Sequence, residues 1–157
     1  MGLYEDIIAV LKKNKVVYSE FSHEAAKTSA AAAVARGMKA DVGLAKAVKA
    51  MVLRSKGKFY LFALRASRKI DWKKVRTILG TDSVSLAEPA EVLSVMGVEI
   101  GACAPFGNLV GIPTYADVDI YSIEKFVFSC GKHDKSIEIS VDDWDKIVKP
   151  VRVGFSA

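Results

Sequence analysis

Two β-prone runs, Val48 to Arg54 and Lys58 to Arg65, stand only Ser55-Lys56-Gly57 apart. So short a connection cannot carry a parallel crossover and obliges the runs to pair as an antiparallel hairpin. Further strand-like runs follow at Val84–Leu86, Pro113–Asp117, Lys125–Cys130 and Ser136–Ile139, with an edge strand at Val151–Phe155. An earlier alternating run covers Val16 to Ser22. Strands outnumber helices, and no regular βα alternation opens on a glycine-rich turn, so a dinucleotide fold is not expected. The fold expected is α+β: a mixed, curved, partly barrel-like sheet surrounded by helices, as one domain over residues 1–157.

The helices announce themselves by period and by punctuation. Leu3, Ile7, Val10 and Leu11 share one face of the first, with Glu5, Asp6, Lys12 and Lys13 on the other. An alanine-rich helix is predicted from Thr28 or Ser29 to about Met38. Asp71 caps a third that Gly80 stops. Glu88-Pro89 opens a fourth, ended at Gly97, and Ser140 caps a last one with Asp142 and Asp143 in its first turn.

With 51% apolar residues in 157, the chain buries roughly two-thirds of its unfolded surface, enough for a core without disulfides. No apolar run reaches the ~18 residues of a spanning helix. Met1 to Lys15 lacks a signal-peptide core, so a cytoplasmic location away from membranes is expected. Cys103 and Cys130 form no CxxC pair, and with His23 and His133 they give no metal-ligand spacing. Neither a metal nor a cofactor is expected.

Charge is distributed unevenly. Residues 1–80 carry a balance of +11 and residues 81–157 one of −6, within an overall +5. Between Arg36 and Arg76 thirteen basic residues face only Asp41 and Asp71. That asymmetry suits a polyanionic partner, or a lysine-rich solvated surface.

The chemistry-bearing segment is Gly97-Val-Glu-Ile-Gly101-Ala-Cys-Ala-Pro105-Phe-Gly107. Glycine permits close backbone approach and proline stiffens the same stretch, so consecutive N–H groups can face an anion or a developing oxyanion. A structural turn is the competing reading. Lys49 leads the apolar run Ala50-Met51-Val52-Leu53 and is suited to hold a phosphate or ribose as a point charge. It is equally suited to guard a sheet edge against aggregation, and Lys46 competes for the first role. Cys103 inside the loop invites a nucleophile reading, which needs a base such as His133 within reach.

In order along the chain, Lys49 before its apolar strand, Gly101-x-x-x-Pro105-Phe-Gly107, Ile112-Pro113-Thr-Tyr-Ala-Asp117 and Phe128-Ser-Cys-Gly131-Lys-His133-Asp-Lys-Ser136 resemble the YbaK family of aminoacyl-tRNA deacylases. That family is related to the editing insertion of bacterial prolyl-tRNA synthetases, and the resemblance runs from about Val16 to Val148. It implies hydrolysis of the ester that joins a wrong amino acid to the terminal adenosine of a tRNA, small residues such as alanine or cysteine on prolyl acceptors among them. Lys49 and Gly101 are then catalytic, with Lys49 holding the terminal nucleotide or aminoacyl group. Gly101, Ala102, Cys103, Ala104, Pro105, Phe106, Gly107, Gly131 and His133 bind substrate. The implied partners are the tRNA acceptor end and an aminoacyl-tRNA synthetase; a noncatalytic tRNA- or synthetase-binding module of the same fold is the alternative. Ala50 stands where the family often has Thr or Ser, the loop interior is Ala102-Cys103-Ala104, and His133 replaces another basic residue.

Overall fold

The computed structural model describes residues 2–24, 31, 34–35, 37 and 40–157. The alanine-rich helix expected from Thr28 or Ser29 to Met38 lies largely outside them. Helix α1 (Leu3–Lys13) sinks Leu3, Ile7 and Leu11 into the core, with acids in its first turn and lysines in its last, as the helix dipole favours. Val10 sits only at the core margin. Strand β1 (Ser19–Ser22) begins three residues later than the alternation suggests. The N–H of Val16 donates back to the Leu11 carbonyl at 3.0 Å, so the chain is still closing α1 there.

Helix α2 (Ala40–Lys46) leads into the central hairpin, β2 (Val48–Ser55) and β3 (Lys58–Arg65). Their register runs from Val48↔Arg65 to Ser55↔Lys58. The two turn residues Lys56 and Gly57 both have positive φ, 51° and 77°, the geometry that matches strand twist in a two-residue hairpin. Helix α3 (Trp72–Leu79) starts at Asp71, whose carboxylate accepts from the Lys73 and Lys74 N–H groups, and ends on left-handed Gly80. Strand β4 (Ser85–Leu86) precedes α4 (Pro89–Met96), which has a Glu88–Glu91 capping box and ends on left-handed Gly97. Strands β5 (Thr114–Asp117), β6 (Lys125–Ser129) and β7 (Lys135–Ser140) follow, then α5 (Val141–Val148) and β8 (Val151–Val153).

Two sheets result, in the orders β1-β7-β6 and β4-β2-β3-β5-β8. The first is antiparallel; in the second, β5 runs parallel to both β3 and β8. A bridge between Ala47 and Val127 joins them without closing a barrel. Val48, Val52, Leu61 and Ala63 from one sheet and Phe126, Phe128, Ile137 and Ile139 from the other fill one shared core with α1 and Trp144 of α5. A second, smaller core lies on the other face of the five-stranded sheet, where Leu53, Phe62 and Leu64 meet Val75 of α3. The tail leaves the sheet after Val153 because Phe155 plugs this core, 4.8 Å edge-on to Phe62. The buried Asp117 carboxylate fixes the tail by accepting from Phe155 N–H, Ser156 N–H and Ser156 Oγ–H.

Candidate active site

Along β2, side chains alternate between the two cores. Val48, Ala50 and Val52 face the larger one, whereas Met51 and Leu53 face the smaller. Among the described residues, the outer edge of β2 is covered at its two ends only. β4 pairs with Leu53 and Arg54, Ala87 N–H donates to the Val52 carbonyl, and the Ala47–Val127 bridge holds the start. Ladder alternation sends the Ala50 N–H and C=O the same way as the Val52 carbonyl, out of the β2–β3 pairing and into the interval between these ends.

A cavity of about 100 Å³ occupies that interval, walled by Ala50, Met51, Val52, Leu86, Ala87, Val92, Ile100 and Cys103. Cys103 is therefore the loop residue that borders it. Gly101 lies exposed at φ 89°, a conformation that suits glycine. The rest of the loop is anchored. Ala102 N–H donates to Glu99 O at 3.0 Å, and Ala102 O accepts from Gly131 N–H at 2.9 Å. Pro105 O accepts from Trp144 Nε1–H at 2.8 Å, and Gly107 N–H donates to Thr114 Oγ1 at 3.0 Å. Ala104, Pro105, Phe106 and Gly107 are buried beneath the loop, with Phe106 5.4 Å from the Phe128 ring. These bonds, with that of Phe106 N–H to Ala104 O, commit the N–H groups of Ala102, Phe106 and Gly107. Among the described residues, the N–H groups of Gly101, Cys103 and Ala104 have no hydrogen-bond partner within the loop.

Gly131 and His133 approach from the β6–β7 turn. Gly131 has φ 91°, and a Cβ there would come within 3.1 Å of Tyr4 N, so the turn, α1 and the loop meet at a glycine. His133 Nε2 lies 3.2 Å from a Glu99 carboxylate oxygen, a second tie between that turn and the loop. Burial pushes the Cys103 thiol up to about 11. A neutral, desolvated thiol is a pocket wall and a poor nucleophile.

Lys49 stands next to Ala50 but outside the cavity wall. It pairs with Leu64, and alternation directs its side chain to the face opposite Ala50. Half-buried there, its ammonium is held below the usual lysine range, first by desolvation and then by the charge of Lys69. Its end of β2 is braced by Arg65, which donates from Nε (3.0 Å) and Nη2 (2.7 Å) to Ala45 O and pairs with Asp119 at 3.4 Å. Of the expected site residues, Cys103 borders the cavity beside Ala50, whereas the Lys49 side chain lies on the opposite face of β2 and does not line it. Sequence reasoning missed Leu86, Val92, Ile100 and Met51 as wall residues. They are ordinary apolar residues, and only the two-residue length of β4 hints that β2 has an uncovered stretch.

The profile of the aminoacyl-tRNA editing domain matches residues 23–147, so the chain belongs to that family. Among particular proteins, it is 28% identical over 157 residues to the Multifunctional Ser/Thr-tRNA deacylase ProXp-y of Escherichia coli K12, covering 97% of this chain and 92% of that one. A proline--tRNA ligase of Caldicellulosiruptor saccharolyticus is 28% identical over 103 residues, 65% of this chain and 18% of the ligase. The fold is shared with a "putative trans-editing enzyme for prolyl tRNA synthetase", at TM-score 0.81 and 19% identity, covering 100% of this chain and 98% of that one. It is shared too with the hypothetical protein APE2540, at TM-score 0.84 and 18% identity over 96% and 99% of the two chains.

Proposed function

We propose that this chain hydrolyses the aminoacyl ester of mischarged tRNA, releasing alanine or cysteine from prolyl acceptors. The observation that carries this reading is the apolar cavity of about 100 Å³ beside the Gly101–Pro105 loop. A space of that size suits a small amino-acid side chain. An adenosine has to stay outside it. Among the described residues, the wall offers no polar side chain beyond the Cys103 thiol. A serine or threonine hydroxyl buried there would depend on main-chain partners, at a desolvation cost.

An ester is already activated, so positioning and electrostatics suffice for the reaction. Attack on the carbonyl carbon by water, directly or after the neighbouring ribose hydroxyl has taken over the acyl group as a second ester, puts negative charge on the carbonyl oxygen, where the remaining loop N–H groups receive it. The ribose oxygen departs with a proton, leaving free amino acid and intact tRNA. Lys49 acts from the nucleotide side. Lys49 and Lys69 repel each other, and a phosphate placed between the two ammonium groups relieves that repulsion. Such a role places the protein where tRNA is charged, in the cytoplasm, with a synthetase as a second partner.

The test is a panel of proline tRNA charged with alanine, cysteine, serine, threonine or proline, scored for amino acid released in a single turnover. Alanine or cysteine should leave fastest and proline should stay. Preferential release of serine and threonine would reassign the substrate to that of the Escherichia coli relative. Binding of every tRNA without release would make the chain a noncatalytic module.

A further inference from the structure

Across β4 from the cavity lie two open grooves. One, of about 440 Å³, is lined by Arg54 and Lys56 of the hairpin together with Ser83, Ser85 and Asp82. The other, of about 480 Å³, is lined by Lys73 and Arg76 of α3 with Thr81 and, again, Asp82. Asp82 lines both, so the two grooves adjoin there as the two halves of a surface channel. Strand β4 is its wall: Ser85 lines the groove, and the next residue, Leu86, lines the cavity. Arg54 is preset along this wall, donating to Glu91 at 3.0 Å and to Ser85 Oγ at 3.2 Å. Lys73 and Arg76, three residues apart, share one face of α3.

We propose that this channel is a backbone track for the acceptor strand of the tRNA. Phosphates lie along Lys56, Arg54, Arg76 and Lys73, while the aminoacylated end crosses β4 into the cavity. The inference rests on the deacylase reading of that cavity. An elongated, open and hydroxyl-rich channel with spaced cations suits a polyanionic chain better than a small enclosed anion. Asp82 and Glu91 are its opposing charges.

Two esters separate the track from the chemistry: alanyl-tRNA with a proline acceptor, and 3′-alanyl-adenosine, which has no phosphates. In the triple variant Lys56→Asn, Lys73→Gln, Arg76→Gln, asparagine keeps the positive φ that the turn requires. Its kcat/KM on the tRNA should fall at least tenfold while that on the adenosine ester stays. The salt slope of tRNA binding should shrink by about three, one for each cation withdrawn from a phosphate. Asp82→Asn should tighten tRNA binding, a gain that misfolding cannot produce, whereas Lys12→Gln with Lys13→Gln on α1 should leave it unchanged. An unaltered tRNA rate and slope in the triple variant would overturn the track, as would equal loss on both esters with no gain from Asp82→Asn. If the wild-type protein cleaves neither ester, the deacylase reading fails alone. Binding of uncharged tRNA to the same variants still decides the track.

Discussion

At Lys49 a stability cost and the proposed binding role meet in one ammonium group. Half-burial and the nearby Lys69 both disfavour its charged form, so its pKa is lower folded than unfolded. A base with a lowered folded pKa costs stability at every pH where the unfolded chain carries the proton. The penalty is full below the folded pKa and fades as pH rises toward the ordinary lysine value. Lys49→Met should therefore raise Tm slightly at neutral pH, by about 1–2 °C once solvent screening is allowed for, and lose this advantage in strong alkali. The same variant should abolish release of amino acid from mischarged tRNA. Parallel thermal melts and single-turnover assays check both halves, and retained activity would remove Lys49 from the site. Stability sacrificed in this way at one residue is typical of a functional position.

The loop from Gly101 to Gly107 is held as an element, by bonds that come from β5, α5 and the β6–β7 turn. Gly107 is its tightest point. A Cβ there would overlap Thr114 Oγ1 and stand 2.7 Å from the Ile112 carbonyl oxygen. Backbone cannot yield cheaply, so Gly107→Ala should destabilise the fold by about 1–3 kcal/mol, the usual range for overpacking a filled site. Chemical denaturation measures that loss. On the proposed mechanism the accompanying kcat should fall further than the unfolded fraction explains, because displaced loop N–H groups would no longer meet the oxyanion. Much of this element could be read beforehand: the glycines and Pro105 mark it as ordered and irregular. Its division into a lining residue, Cys103, and buried supports such as Phe106 could not, since an apolar residue beside glycine looks the same whether it borders a cavity or a core.

For the whole molecule, the decisive event is the return of the C-terminus. Phe155 closes the smaller core, and Ala157 N–H and Lys74 Nζ tie the last residues to the segment around α3. Phe155→Ala removes a fully buried ring at a cost of about 3–5 kcal/mol. That loss should be visible as a large drop in the urea midpoint. Because α3 rests on this core and carries Lys73 and Arg76, tRNA affinity should weaken along with it, while a substitution at the exposed Lys12 should move neither.

What the amino-acid sequence determined by itself is everything set within a few residues: a hairpin turn within Ser55-Lys56-Gly57, the caps at Asp71, Glu88 and Ser140, and the glycine stops at 80 and 97. These depend on local φ, ψ and hydrogen bonding, which the residue type controls directly. Only the tertiary structure decided that β4 covers two residues of β2, that Ala87 and Ala47 pin the edge at either end, and that Ala50 and Cys103 therefore share a cavity. Those facts arise from pairing between segments tens of residues apart, where the free energy of the whole packing, and not the preference of any one residue, selects the arrangement.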